Sequence, residues 1–344
     1  YVGRSDGQDI VFTDSENSLL LDYEIEKYDG ATGELVAWVR IPSLSSSGDT
    51  QIRLWYGNAD AGDWSNPAGI WDSNFKMVQH LEETSQGSGS YDDHLDSTGY
   101  GNDGEIGSSS DVTMDATGNI NGADDFSGSG DSYVEVADSE SLDITGSFTL
   151  EAWTKLDNLP AMTGILVDKR DDGDTGYFVG VWSDGHIWMG VGQAKHMEED
   201  IGLTTGAWYH VVAIYNSSDD TVEIYIDGTS ALSESTTGSL TATTEVLRIG
   251  SESFDVNYQV DGIIDEVRVS NTVRNGDWIK TCYNNQSDPA GFHTVGEQQE
   301  TEIGEKPIPE LSTIALFGIG LAVVAGVLVL FRVRRRTENP VQAM

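Results

Sequence analysis

One cysteine, Cys282, occurs in 344 residues, so no internal disulfide can form. Positive charge is also scarce: 18 Lys and Arg stand against 58 Asp and Glu, a formal net charge of −40. That deficit excludes electrostatic docking on nucleic acid or on anionic lipid, both of which need a basic face. It fits a surface kept soluble in high salt, one rich in divalent cations, or both. The signatures of several enzyme classes are missing too. The chain has no Ser-His-Asp spacing, no His-Glu-x-x-His and no phosphate-cradling glycine loop. No basic-then-apolar leader follows Tyr1, so an exported chain of this kind is expected to have lost its leader or to carry it upstream in a longer parent. Disorder is excluded by what is plentiful: nine Trp, thirteen Tyr and frequent Val and Ile supply a core.

Leu311 to Phe331 holds no charge over 21 residues, about 32 Å as a helix, which is enough to cross a bilayer's hydrocarbon core. Arg332, Arg334, Arg335 and Arg336 follow at once, and a polar, acidic stalk, 298–310, precedes it. The positive-inside tendency puts the basic tail, 332–344, in the cytoplasm and everything before the run outside. A single-pass transmembrane helix over 311–331 is therefore expected, with the N-terminus outside and the bulk of the protein at the cell surface. Gly318, Ala322 and Gly326 fall four apart and would give that helix a face small enough for close helix contact. A buried core helix, the alternative, would be unusually long and apolar all round.

The rest of the chain reads as β-structure. Within residues 1–83, the runs DIVFTD, LDYEIEKY, ELVAWVRIP and TQIRLWYGN are strand-length and are separated by Gly, Asp, Ser and Pro. In the third, Leu35, Ala37, Val39 and Ile41 alternate with Val36, Trp38 and Arg40, which is strand periodicity. A small-residue linker, 84–91, leads to a larger β domain over 92–297, whose strands and turns alternate at sandwich spacing. Its clearest hairpin is Trp208 to Gly228. On the second arm Val222, Ile224 and Ile226 share one face; both faces of the first arm are apolar, so that strand is expected to be central.

Residues 4–83, through DGQDIVFTD, VAWVRIPSLSSSGDTQIRLWYGNADA and WDSNFKMVQHLEE, resemble an uncharacterised domain of unknown function that sits ahead of laminin-G-like jelly rolls in archaeal and bacterial surface proteins. Family members begin one strand earlier, so an N-terminally truncated module is expected. DSTGYGNDG, DDFSGSGDSYVEVADSESLDITGSFTLEAWTK, GAWYHVVAIYNSSDDTVEIYIDG and LRIGSESFDVNYQVDGIIDEVRVSNTVRNGDW resemble a laminin-G-like, concanavalin A-like jelly roll. That resemblance implies an all-β fold of two packed antiparallel sheets, and it leaves function open, because the fold carries lectins, adhesion modules and glycosidases alike. Pro309, Glu310 and Leu311, with the apolar run and the arginines, resemble the Pro-Glu-Phe sorting tail of archaeal surface proteins, Leu311 standing where that tail has Phe. This implies processing by a membrane transpeptidase of the archaeosortase kind.

Glycosidases on such sandwiches need closely spaced carboxylates across the scissile bond, and Asp261, Asp265 and Glu266 in DGIIDEVRV are the nearest set. The strand lacks the third acid of the glucanase pattern Glu-x-Asp-x-x-Glu, and the laminin-G-like family carries the Asp-Glu pair without catalysis, so no enzymatic activity is expected. Calcium takes six to eight oxygens, often from carboxylates and carbonyls in Gly-rich turns. Asp96, Asn102 and Asp103 in DSTGYGNDG form such a turn, and the jelly-roll resemblance implies that Asp265 or Glu266 comes close to it; the alternative is ordinary turn and surface residues. Asp168 to Gly176, DKRDDGDTG, lacks EF-hand spacing and reads as a solvated hairpin loop. Trp182, His186 and Trp188, with His196 nearby, suit stacking on sugar faces beside polar groups, and suit a core equally well. Asn216 and Asn285 are glycosylation acceptor patterns. The expected protein is surface-anchored, all-β and non-enzymatic, recognising carbohydrate or another surface protein, with a structural calcium. A building block of a cell envelope layer or filament and a glycan-processing enzyme are the rival readings.

Overall fold

The computed structural model describes residues 2–45, 47–88, 91, 93–107, 111–198, 200–254 and 258–298, with the backbone alone of 299, 312–318 and 325–333. The chain divides into two compact units. Trp71–Tyr283 forms the larger, inserted between the two segments of the smaller, Tyr1–Ile70 and Asn284–Met344.

Four strands begin the smaller unit: β1 (Val11–Asp14), β2 (Tyr23–Asp29), β3 (Glu34–Ser43) and β4 (Gln51–Tyr56). They are the four runs read as strands from the sequence. The larger unit follows with β5 (Phe75–Gln79), β6 (Gly104–Ile106), β7 (Val112–Thr117), β8 (Gly122–Ser127), β9 (Val134–Val136), β10 (Phe148–Asn158), β11 (Thr163–Arg170) and β12 (Gly176–Trp182). It continues with β13 (Ile187–Val191), β14 (Ala194–Met197), β15 (Tyr209–Asn216), β16 (Thr221–Ile226), β17 (Thr229–Ser235), β18 (Leu247–Ile249), β19 (Asp261–Ser270) and helix α1 (Gly276–Ser287). The chain then returns to the smaller unit with β20 (His293–Gln299), β21 (Ser312–Gly318) and β22 (Ala325–Val333).

In the smaller unit one sheet runs β1-β4-β21-β20 and the other β2-β3-β22. Phe12, Tyr23, Val39 and Leu54 meet between them as its core. Within 311–331, where a membrane helix is expected, Ser312–Gly318 and Ala325–Val333 are strands, paired with β4 and β3, while 311 and 319–324 lie outside the described residues. Among the described residues no helix is long and apolar enough to cross a membrane. An uncharged apolar run satisfies its backbone hydrogen bonds in a sheet or in a helix, and uniform hydrophobicity has no period that separates the two. The sorting residues Pro309, Glu310 and Leu311 lie outside the described residues.

The larger unit is a sandwich. An eight-stranded sheet runs β17-β16-β15-β10-β19-β8-β7 with β5 also on β19, and a seven-stranded sheet runs β14-β13-β12-β11-β18-β9-β6. Alternating side chains such as Leu150, Val211 and Val267 from the first sheet and Val179, Met189 and Ile249 from the second fill the space between. Strand β16 buries Val222, Ile224 and Ile226 as expected, and β15 is central, between β10 and β16. The domain boundary differs from the expected residue 83. FKMVQ is β5, paired with β19 from Gln79↔Val267 to Phe75↔Ser270, so the larger unit starts at Trp71; the stretch after Tyr283 returns to the smaller one.

The two sheets expose different outer faces. That of the eight-stranded sheet is covered by α1, whose first turn is capped by Asn275 Oδ1 accepting from Trp278 N (2.9 Å). Trp278, Ile279 and Cys282 are buried beneath it, and Tyr283 stacks on Trp153 with ring centroids 5.8 Å apart. Burial pushes the Cys282 thiol well up from its usual range. The outer face of the seven-stranded sheet carries large exposed side chains instead.

Candidate functional site

On β12, Tyr177, Val179 and Val181 enter the core, so Phe178, Gly180 and Trp182 lie on the outer face. Register brings partners of the same parity beside them. Gly180 pairs with Trp188, which pairs with Met197; Phe178 pairs with Gly190, which pairs with Lys195. Phe178 and Trp188 thus each stand opposite a glycine, and the glycines make room for the rings. A β-carbon on Gly190 would overlap the Phe178 ring, and one on Gly180 would lie 2.9 Å from Trp188 Nε1. The rings therefore lie across the sheet. Trp188 packs edge-on to Phe178, centroids 4.3 Å apart, and Trp182 packs edge-on to Trp188 at 5.3 Å. Trp182 is 37 % exposed although it belongs to a strand of the central sandwich, and Met197 beside it is equally open.

Charge borders this aromatic strip. The Arg170 guanidinium lies 3.9 Å above the Phe178 ring and the Lys195 ammonium 4.8 Å from it, both within cation–π range. Arg170 is held by Asp168 (Nε to Oδ2, 2.9 Å; Nη2 to Oδ2, 2.5 Å) and by Asp174 (2.8 Å). Asp168 also accepts from Ser253 Oγ (2.9 Å). Burial pushes the Asp168 carboxyl up, against the pull of Arg170, and burial together with Arg170 lowers the Lys195 ammonium. The indole Nε1 of Trp188 is buried with no hydrogen-bond partner among the described residues.

The structure brings Trp182 and Trp188 together and places His186 at the adjoining turn, its Nδ1 3.0 Å from Asp184. His196 is not part of the strip, since it pairs opposite Met189 and is fixed by Glu234 (2.6 Å) and Thr236 (2.8 Å). Sequence reading missed Phe178, Asp168 and Arg170. Residues 168–170 end strand β11, all three buried, and only the stretch after Arg170 is the turn read from DKRDDGDTG. A usable signal was present: glycines inside the strand runs GYFVGVW and IWMGV mark places where something lies close to the backbone.

The expected calcium ligands have other partners. Asp96 Oδ1 accepts from Val78 N and Thr98 N, and Oδ2 from Asn102 N and Thr98 Oγ1. Asp103 accepts from Asp96 N (2.7 Å), and the Asn102 amide donates to Lys76 O and Ser141 Oγ. Asp265 Oδ2 accepts from the backbone of Asn119 and Ile120, while Glu266 faces His80 and Arg268. Among the described residues Asp96 and Asp103 do not gather with Asp265 and Glu266 into a ligand cluster. Asp96, whose two oxygens each already accept two donors, does not fit a hard cation that needs six or more free oxygens. We expect calcium and chelator alike to leave the unfolding midpoint of the chain unmoved in a calorimetric scan; a rise with calcium would restore the metal. The acceptor patterns also part company. Asn216 sits in the β15–β16 turn, partly exposed, whereas Asn285 lies buried in α1, out of a transferase's reach in the folded chain.

Comparison with known proteins agrees with this architecture. Residues 127–280 match the family described as the concanavalin A-like lectin/glucanases superfamily, and residues 6–90 match a domain of unknown function, DUF2341, which extends past the structural boundary into β5. No curated protein matches the chain. Among solved structures, the binding domain of Paraclostridial Mosquitocidal Protein 1 is similar with a TM-score of 0.50 and 15% identity, covering 61% of this chain and 52% of that one. Domain 4 of AbnA, a GH43 extracellular arabinanase from Geobacillus stearothermophilus solved with arabinotriose, gives 0.46 and 18%, covering 60% and 97%. The botulinum neurotoxin serotype G binding domain gives 0.48 and 14%, covering 69% and 64%. The chain spans about half the length of the mosquitocidal-protein domain, and likeness at these identities concerns fold alone. The chain thus carries two domains, a DUF2341 domain and, after it, a concanavalin A-like lectin/glucanase-superfamily jelly roll.

Proposed function

We propose that the jelly roll is a carbohydrate-binding module and that its platform is the Trp182–Trp188 strip. The observation that carries this reading is Trp182, an indole 37 % exposed and braced edge-on by Trp188 over a glycine. A rigid, half-desolvated ring stacks on the apolar face of a sugar at little entropic cost, and neighbouring polar groups meet the hydroxyls. The reading is of binding without hydrolysis. Glycosidases need two carboxylates facing each other across the substrate, about 5–9.5 Å apart, and the acids beside the strip, Asp168 and Asp174, are both engaged by Arg170.

The test is a glycan array with the full chain, followed by titration of whichever glycan scores. Trp182→Ala should weaken that glycan about tenfold to a hundredfold, the range of a central aromatic anchor, and lower the unfolding midpoint by only a few degrees, the protein remaining folded. Silence across the array from folded protein, or unaltered affinity in the variant, would sink the reading.

We further place the module at the cell surface, on the strength of its acidic balance and the arginine cluster behind the apolar run 311–331. Anchoring by that run requires β21 and β22 to leave their sheets. Full-length protein expressed in cells should then stay with the membrane through an alkaline carbonate wash; release into the supernatant would exclude an integral anchor.

A further inference from the structure

A second concavity lies in the larger unit and shares no residue with the tryptophan strip. It is open at the surface, has a volume of about 550 Å3, and is lined by Lys76, Tyr100, Glu140, Asp143, Thr145 and Ser147 among others. That size is within the range of small-molecule sites, about 300–1,000 Å3. Lys76 comes from β5 and is nine-tenths buried. Its ammonium donates to Ser73 O (2.6 Å) and Tyr100 Oη (2.5 Å) and lies 4.2 Å from the Tyr100 ring centroid. An ammonium has three N–H donors, so one remains uncommitted. Tyr100 is itself 44 % exposed. Glu140 and Thr145 are exposed at the rim, and Asp143 is held 3.2 Å from the ammonium of Lys169.

We infer that this pocket binds a small neutral polyhydroxylated ligand, a mono- or disaccharide, independently of the tryptophan strip. Its lining offers a donor in Lys76, acceptors in Glu140 and Asp143, and hydroxyls that do both, which is the mixed pattern that sugar hydroxyls satisfy and a uniformly charged ligand does not. The exposed ring of Tyr100 supplies the apolar contact. A phosphate or other anion would meet two carboxylates in a chain of net charge −40, and a metal cation would meet the Lys76 ammonium. The volume is too small for a folded partner and suits one or two sugar rings.

The experiment uses the full chain carrying Trp182→Ala and Trp188→Ala, which removes the strip, and reads saturation-transfer difference NMR against a panel of neutral mono- and disaccharides, with a uronic acid as the charged control. At least one neutral sugar should show saturable transfer. Adding Tyr100→Ala should reduce the affinity at least tenfold, and Glu140→Gln, a rim substitution without a packing role, should reduce it severalfold with the fold intact by circular dichroism. No transfer to any neutral sugar from the strip-less protein, transfer unaffected by Glu140→Gln and Tyr100→Ala, or preference for the uronic acid would each overturn the assignment. Failure of the strip leaves this result untouched, because the two sites are read in different variants.

Discussion

Replacing Arg268 by methionine is expected to lower the free energy of unfolding of the larger unit by about 3–5 kcal/mol, the usual cost of removing one partner from a buried ion network. Arg268 is fully buried on the helix-covered face of the eight-stranded sheet. Its guanidinium reaches Glu151 Oε1 (3.0 Å) and Glu266 Oε2 (2.5 Å), Glu266 meets His80 (2.7 Å), and Glu151 meets His210 (3.0 Å). Burial opposes the arginine's charge, but the two carboxylates outweigh it and hold the guanidinium ionised. Without the arginine, the two buried carboxylates keep only their histidine partners and must either stay desolvated with less compensation or take up protons. A loss of that size is a large share of an ordinary domain's 5–15 kcal/mol. Urea unfolding at neutral pH measures it. The triple variant Arg268→Met, Glu151→Gln, Glu266→Gln tells the origin, because removing all three charges should recover most of the loss, whereas a purely steric role for Arg268 predicts no recovery.

The second large effect is a pH dependence centred on His94. Its imidazole is buried between two acids, Nδ1 2.7 Å from Glu83 and Nε2 2.9 Å from Asp124. Burial alone would lower its pKa, but Asp124 and Glu83 prevail and raise it from 6.5 to about 10. Asp124 is also pushed up by burial, and we place the shared proton on the histidine because two carboxylates face it and Glu83 is held low by it. A raised folded-state pKa contributes stability that is fully present below about pH 6.5 and is lost as the pH climbs through about 10. At about 1.4 kcal/mol for each pH unit separating the folded and unfolded pKa values, roughly 3 kcal/mol should disappear between pH 7 and pH 9.5. The urea midpoint of the parent should fall over that window, while the double variant His94→Leu, Asp124→Leu, which has neither titrating group, should stay nearly level. Parallel slopes for the two proteins would show that the alkaline loss has another source.

Much of the fold was legible because its strands are half-buried and alternate. TVEIYI carries a period-two pattern that the sandwich uses without change, and the hairpin from Trp208 to Gly228 could be read down to which arm is central, whereas ELVAWVRI forms the expected strand but is buried on both faces. Three features escaped, each for a physical reason. Asp168-Lys169-Arg170 looks like a loop because its residues are charged, yet it is buried at the end of a strand, Arg170 pairing with Asp168 on the same strand and Lys169 with Asp138 from the loop after β9, a partner that only the fold brings near. FKMVQ looks like the end of one domain because its partner, β19, is supplied from the far end of the other. The apolar run 311–331 is ambiguous in kind, because uniform hydrophobicity carries no period. Of the candidate site, the tryptophans were legible from type and parity, but the cationic side chains over Phe178 and the glycines beneath the rings acquire meaning only through register.

The insertion of the larger unit between two segments of the smaller one sets an order of events on the ribosome. Synthesis runs from the N-terminus, and domains fold as units once their residues are available. The jelly roll has all its strands when Tyr283 has emerged, and β5 meeting β19 draws its two ends together. Strands β1 to β4 are made first but wait longest, because β20, β21 and β22 come last. The edges of β3 and β4 that β22 and β21 later cover therefore stay open while the larger unit is made.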